Sequence, residues 1–223
     1  MYSDLETLEF LASEDLAVST YAAGTSVWRI HSKDCVIDNR AFKVEDELPH
    51  EIIHWSNAGR FGTNECPVLY VGESQPGAFL ETMCTNPAMG VSISAARLAA
   101  YACSEIELPK PFRMVSFVGA DLIKNRLDAN VFSSTDPDVA RRRTYRFSRD
   151  VAKAVLANPR GYDGIVYQSR VNPDNRNAAI FFKSPKLHRA LQANIVMAMQ
   201  TLIHEPWVYE MQSEGDLNLE IMR

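Results

Sequence analysis

Three separated stretches of this chain hold the side chains best suited to chemistry. The first is Gly59-Arg60-Phe61-Gly62, with Tyr70 ten positions after the arginine. The second runs from Ser74 to Glu81, and the third is Gly161-Tyr162-Asp163-Gly164-Ile165-Val166-Tyr167-Gln168-Ser169-Arg170. Upstream of all three stands Trp28-Arg29-Ile30. A carboxylate such as Glu81 can stabilise developing positive charge or orient a water. Arg29 and Arg60 carry planar forks of donors that match phosphate oxygens. Tyr70 offers an aromatic face and a hydroxyl, and Ser169 a second hydroxyl. Each residue alone has a plain structural reading: a solvated glutamate, loop charges, a core tyrosine, a turn serine. Their order along the chain is what gives them weight together.

A rival motif lies between them. His50-Glu51-Ile52-Ile53-His54 fits H-E-x-x-H, which on a helix sets two histidines one turn apart as zinc ligands with the glutamate as base. Pro49 before it and Ser56-Asn57-Ala58-Gly59 after it leave room for only a short helix. A third histidine in the extended form of the motif would fall at position 60, which is Arg60. Glu73 or Glu81 would have to supply the third ligand. A zinc metalloprotease is therefore the weaker alternative, and no metal is expected. Cys84 reads as a small buried residue among apolar neighbours rather than a nucleophile. Arg141, Arg142, Arg143, Arg146 and Arg149 form a basic cluster, with Arg142, Arg146 and Arg149 on one helical face.

The elements that must carry these residues follow from pattern. A short polar helix is expected over 3–15, and a strand over Val27–Ile30 after the Ala23-Gly24-Thr25 turn. Pro67–Glu73 reads as a buried strand. Ser74 is a good N-cap with Pro76 in the first turn, so a helix runs from there to Cys84 and stops at Asn86-Pro87. Strands are expected over Ala99–Leu108 and Phe112–Val118, and helices over Ala120–Leu127 and Thr144–Leu156. Gly164–Ser169 and Ala178–Phe182 read as paired strands, with Ser169 on the face of Ile165 and Tyr167. A further strand and a mixed tail follow Lys186. Residues 32–48 and 128–140 read as loops. Helices and strands intermingle without βαβ alternation, which predicts an α+β fold.

Composition sets outer bounds. The chain has 223 residues, 46% of them hydrophobic and 23% charged. That is the balance of an ordinary globular domain, so residues 1–223 are read as a single domain with terminal extensions. A net charge of −5 argues against a protein that coats nucleic acid. No apolar run nears the ~20 residues of a membrane span. The acidic start Met1-Tyr2-Ser3-Asp4-Leu5-Glu6 lacks the form of a secretory signal, and the four scattered cysteines read as free thiols, so a cytoplasmic location is expected. No G-x-G-x-x-G follows a strand, which disfavours a Rossmann dinucleotide site.

The order Arg60, Glu81, Ser169, with the opening Trp28-Arg29-Ile30 strand and the closing Phe181-Phe182, resembles the RES domain over about residues 27–183. The resemblance implies an α+β fold with an ADP-ribosyltransferase-like (diphtheria-toxin-like) core. It implies NAD⁺ as substrate rather than as a bound cofactor. It implies a toxin whose partner is an antitoxin with an Xre-type helix-turn-helix, in a hetero-oligomer, if not a homo-oligomer. Breaking the nicotinamide–ribose bond develops positive charge on the ribose, as in glycoside hydrolysis. On this reading Glu81 stabilises that charge, Arg29 and Arg60 hold the pyrophosphate, and Tyr70 and Ser169 position the nicotinamide ribose. Water as acceptor makes the reaction NAD⁺ glycohydrolysis; a protein or small-molecule acceptor makes it mono-ADP-ribosylation.

Overall fold

A computed structural model describes residues 4–33, 52–53, 55–57, 59–84, 91–127, 139–169, 171–172, 174–213 and 219–222. Helix α1 (Asp4–Ser13) is followed by strands β1 (Val18–Tyr21), β2 (Ser26–Ser32) and β3 (Val68–Gly72) and helix α2 (Gln75–Met83). Then come β4 (Val91–Ser94), α3 (Ala95–Ala100), β5 (Tyr101–Glu107), β6 (Phe112–Phe117), α4 (Ala120–Lys124) and α5 (Val139–Ala157). The chain ends with β7 (Gly164–Gln168), β8 (Arg176–Phe181), α6 (Pro185–Ala193), β9 (Ile195–Thr201), α7 (Pro206–Ser213) and β10 (Leu219–Met222).

Eight strands form one sheet in the order β1-β6-β7-β8-β3-β2-β5-β9. It is mixed: β6 and β7 run parallel, and the other pairs are antiparallel. The expected α+β class is the one found. Alternation along the strands divides the core by face. Val27, Leu69, Val71, Val166, Ala178 and Ile180 pack on one side with Leu187 and Leu191 of α6. The other side carries two clusters. Val68, Ile165, Tyr167, Ala179 and Phe181 meet Leu11 of α1 and Val151 and Val155 of α5. Ile30 meets Ala78, Phe79, Leu80 and Met83 of α2. The seam between those two clusters is where the polar residues collect.

Helix α2 forms as its sequence predicts. Ser74 Oγ accepts from the Gly77 amide at 3.1 Å, and Pro76 occupies the first turn. The helix lies hard against the sheet: a Cβ on Gly72 would stand 2.6 Å from the Ala78 nitrogen and 2.9 Å from its Cβ. Gly72→Ala is therefore expected to cost about 1–3 kcal/mol by overpacking. Chemical denaturation measures it, and an unchanged midpoint would show that α2 has slack. Gly77, Ala78 and Cys84, the small residues of this helix and its C-cap, are all buried.

Several elements differ from the sequence expectation. Residues 95–100 are helical before β5 begins, with Ser94 Oγ accepting from the Arg97 amide. Helix α5 starts at Val139, ahead of the expected Thr144. The segment after Ser184 is helix α6, capped by Ser184 Oγ on the Leu187 amide, and the expected strand follows it as β9. Strand β7 ends at Gln168, so Ser169 stands just outside it. The C-terminal tail folds back on α2: Trp207 of α7 meets the Phe79 ring edge-on at 5.7 Å, and β10 pairs with β4 in parallel. Among the described residues no helix is long and apolar enough to cross a membrane.

Candidate active site

Strand register builds the site. Tyr167 of β7 lies opposite Asn177 of β8, and Asn177 lies opposite Gly72 of β3. Directly paired residues share a face, so these three form a row across the sheet. Helix α2 crosses the row at Gly72 and carries Glu81 over Asn177 and Tyr167. Tyr167 Oη donates to Glu81 Oε1 at 3.4 Å, and Asn177 Nδ2 donates to Oε2 at 3.3 Å. Both bonds are long, so the half-buried carboxylate is oriented without being saturated.

Tyr70, two residues before Gly72, points to the same face and fixes the neighbouring loop. Its hydroxyl accepts from the amides of Phe61 at 2.8 Å and Gly62 at 3.2 Å. Burial pushes the phenol up to about 12, with the two amide bonds opposing that rise, so it stays protonated at neutral pH. Gly59 has φ 87°, and a Cβ there would come 3.0 Å from the Tyr70 hydroxyl. The Gly-Arg-Phe-Gly turn is thus locked by one phenol, and Arg60 is aimed by it. The Arg60 guanidinium lies 5.1 Å from the centroid of the Tyr167 ring, and the residue is 5% exposed. Its Nη1 and Nη2 have no hydrogen-bond partner among the described residues. Two buried, charged donors in that condition can take up anionic oxygens.

The remaining expected residues take other places. Arg29 Nη1 donates to the Tyr70 carbonyl at 3.0 Å, so Arg29 braces β3 from β2. Ser169 is 4% exposed, and its Oγ accepts from the amides of Val171 at 3.2 Å and Asn172 at 3.4 Å. Its own amide donates to the Asn175 carbonyl, and Asn175 Oδ1 meets Ser74 Oγ at 3.2 Å. Ser169 thereby ties the β7–β8 turn to the start of α2. Glu81, Arg60 and Tyr70 are brought together directly, while Ser169 and Arg29 support the elements that carry them. Tyr167 and Asn177 were not picked out from sequence. Tyr167 sits in the Gly161–Arg170 stretch and had a signal in its spacing; Asn177 had none.

Next to Arg29, His31 is buried, with Nε2 2.9 Å from Ser104 Oγ and Nδ1 3.3 Å from the Ser32 carbonyl. Burial pushes the imidazole down to about 4, the Ser32 bond opposes this, and the Arg29 charge adds to it. The unfolded chain, with a histidine near ~6.5, binds this proton first. Stability is therefore full above pH ~6.5 and falls as the pH drops toward 4, by at most about 3 kcal/mol. Urea titrations at both ends of that window should show the loss in the wild type and a smaller one in His31→Gln. Equal slopes would remove His31 from the account.

The other sequence candidates resolve more simply. Cys66, Cys84 and Cys103 are free and buried, and Cys35 lies outside the described residues. Burial pushes the Cys84 thiol up to about 11, the condition of a packed thiol and not a nucleophile. His50, Glu51 and His54 lie outside the described residues, whereas Ile52 and Ile53 are buried in the core. The side chains of Arg141, Arg142 and Arg143 also lie outside them. Arg146, Arg149 and Lys153 line a groove of about 790 Å³ together with Glu65 and Asp150, so its charge is mixed. Arg149 Nε donates to the Gly59 carbonyl at 3.2 Å, and Lys153 pairs with Glu65 at 2.5 Å.

A mixed sheet carries a carboxylate, two tyrosines and a buried arginine at the seam of its helical layers, in an α+β domain. The chain belongs to the RES domain family, whose model matches residues 26–202. Among solved structures it is similar to a chain of the M. tuberculosis MbcT–MbcA toxin–antitoxin complex, with TM-score 0.46 and 11% identity. That match covers 85% of this chain and 97% of the other. No curated protein sequence matches the chain.

Proposed function

We propose that this RES-domain chain cleaves NAD⁺ at the nicotinamide–ribose bond, releasing nicotinamide and ADP-ribose, and acts as a toxin restrained by an antitoxin. The observation that carries the reading is the Glu81 carboxylate held between Tyr167 and Asn177, with the Arg60 guanidinium against the same tyrosine. NAD⁺ presents a group for each of these two charges. Its pyrophosphate would take the Arg60 donors, and its ribose becomes positively charged as nicotinamide leaves. Glu81 would stabilise that charge and orient the water that adds to the anomeric carbon. The water keeps its oxygen on ADP-ribose and gives one proton to solvent. No metal or bound cofactor takes part in this scheme.

Consuming NAD⁺ would harm the cell that makes the protein. An inhibitory partner follows from that, and in this reading it is an antitoxin of the Xre helix-turn-helix type in a cytoplasmic hetero-oligomer. The decisive experiment incubates the purified chain, freed of any partner, with NAD⁺ and follows free nicotinamide. Release with equimolar ADP-ribose supports hydrolysis. Release with labelled ADP-ribose retained on a protein or small acceptor would turn the reading to mono-ADP-ribosyl transfer. Absence of nicotinamide release would remove it.

A further inference from the structure

Asn177 carries an orphan that the fold does not explain. It is 1% exposed, at the second position of β8, and is followed by Ala178, Ala179, Ile180 and Phe181. Its Nδ2 donates to Glu81, but its Oδ1 is buried with no hydrogen-bond partner among the described residues. Leaving a buried carbonyl oxygen unpaired costs about 1–3 kcal/mol. Turning the amide over would not relieve it, because an oxygen would then face the Glu81 oxygen. Structure alone would favour an apolar residue here. A donor supplied by a ligand would satisfy Oδ1 and account for the asparagine.

The position of that donor is constrained. Oδ1 and Nδ2 share one carbon, and Nδ2 already touches the Glu81 carboxylate. A donor reaching Oδ1 therefore comes close to the carboxylate. If Glu81 faces the anomeric carbon of the nicotinamide ribose, the nearest donors of the ligand are the hydroxyls of that ribose. We infer that Asn177 recognises the ribose: Nδ2 positions the Glu81 carboxylate, and Oδ1 accepts a hydrogen bond from a hydroxyl of the sugar whose bond to nicotinamide breaks. This rests on the NAD⁺-cleaving reading. It makes the site selective for a ribose over a deoxyribose, since an unmade bond to a buried polar group is penalised strongly.

The test measures kcat and KM for nicotinamide release from NAD⁺ and from its 2′-deoxy and 3′-deoxy analogues at the nicotinamide ribose. Each rate is divided by the analogue's own uncatalysed rate, because deoxyribosides are intrinsically more labile. Wild type should lose at least about tenfold in kcat/KM with one analogue. Asn177→Ala should lose about 100-fold with NAD⁺ and nothing further with that analogue. A residue that merely holds the fold would lower activity equally for all three substrates. Should Asn177→Ala not fold, Asn177→Ser serves in its place, and the wild-type series stands by itself. A wild type that turns over NAD⁺ yet is indifferent to both hydroxyls would overturn the inference alone, as would an analogue penalty undiminished in the variant. A wild type that releases no nicotinamide would overturn the NAD⁺ reading and this inference with it.

Discussion

Glu81→Gln is expected to fold normally and to release nicotinamide about 10³-fold more slowly, a loss of about 4 kcal/mol of transition-state stabilisation. The substitution is nearly isosteric, and the surrounding bonds can survive it. The amide oxygen of the new glutamine can take the place of Oε2 and accept from Asn177 Nδ2, so Asn177 keeps its orientation. Its amide nitrogen then meets Tyr167 Oη, which turns from donor to acceptor. Only the charge is removed. Bound NAD⁺ already carries positive charge on the nicotinamide ring, one bond from the anomeric carbon, and that charge moves onto the ribose only in the transition state, so NAD⁺ affinity should fall far less than the rate, by no more than about tenfold. Circular dichroism checks the fold, calorimetry the affinity, and chromatography the nicotinamide. Release within tenfold of wild type would take Glu81 out of the chemistry.

That prediction depends on a residue whose placement was legible, and the reasons are local. The Ser74 cap, the Pro76 first turn and the apolar Ala78-Phe79-Leu80 run specify α2 without outside help. The β3, β7 and β8 strands form where short apolar runs between turn residues were read, with β7 ending at Gln168 instead of Ser169 and β8 starting at Arg176 instead of Ala178. Where local signals were weighed wrongly, the correct signal was also present. Ser184-Pro185 is as good a helix start as Ser74 with Pro76, and Leu187 and Leu191 repeat at helical spacing. The Ala95–Ala100 stretch, rich in the strongest helix formers, was overshadowed by the strand that follows it.

What was not legible is register. Nothing near Asn177 says that it will stand opposite both Tyr167 and Gly72, because that alignment is fixed by pairing between strands distant in sequence. By pattern the strand was expected to begin at Ala178, which left Asn177 in the polar loop before it. Only the assembled sheet, with α2 lying across it, turns it into a buried partner of Glu81. Ser169 illustrates the converse. Its place in the family's order singled it out, and its oxygen also accepts from the Val171 and Asn172 amides, a role in the turn after β7 that only the folded chain reveals.

Arg60 offers the sharpest separation of function from stability. A buried guanidinium with two nitrogens unpaired among the described residues is a cost to the folded chain, offset in part by its place against the Tyr167 ring, which is worth about 2 kcal/mol when desolvated. Arg60→Met fills similar volume with no charge. The variant should therefore be as stable as wild type, or more stable by about 1–2 kcal/mol, in chemical denaturation. Its affinity for NAD⁺ should fall about 100-fold, because the pyrophosphate loses its charged donors. Arg60→Lys should recover little of it, since a single ammonium cannot reproduce the fork. A destabilised variant with unchanged affinity would mean that Arg60 serves the fold. A stable variant that no longer binds NAD⁺ would mean that the locked Gly59–Gly62 turn keeps an expensive charge for its ligand.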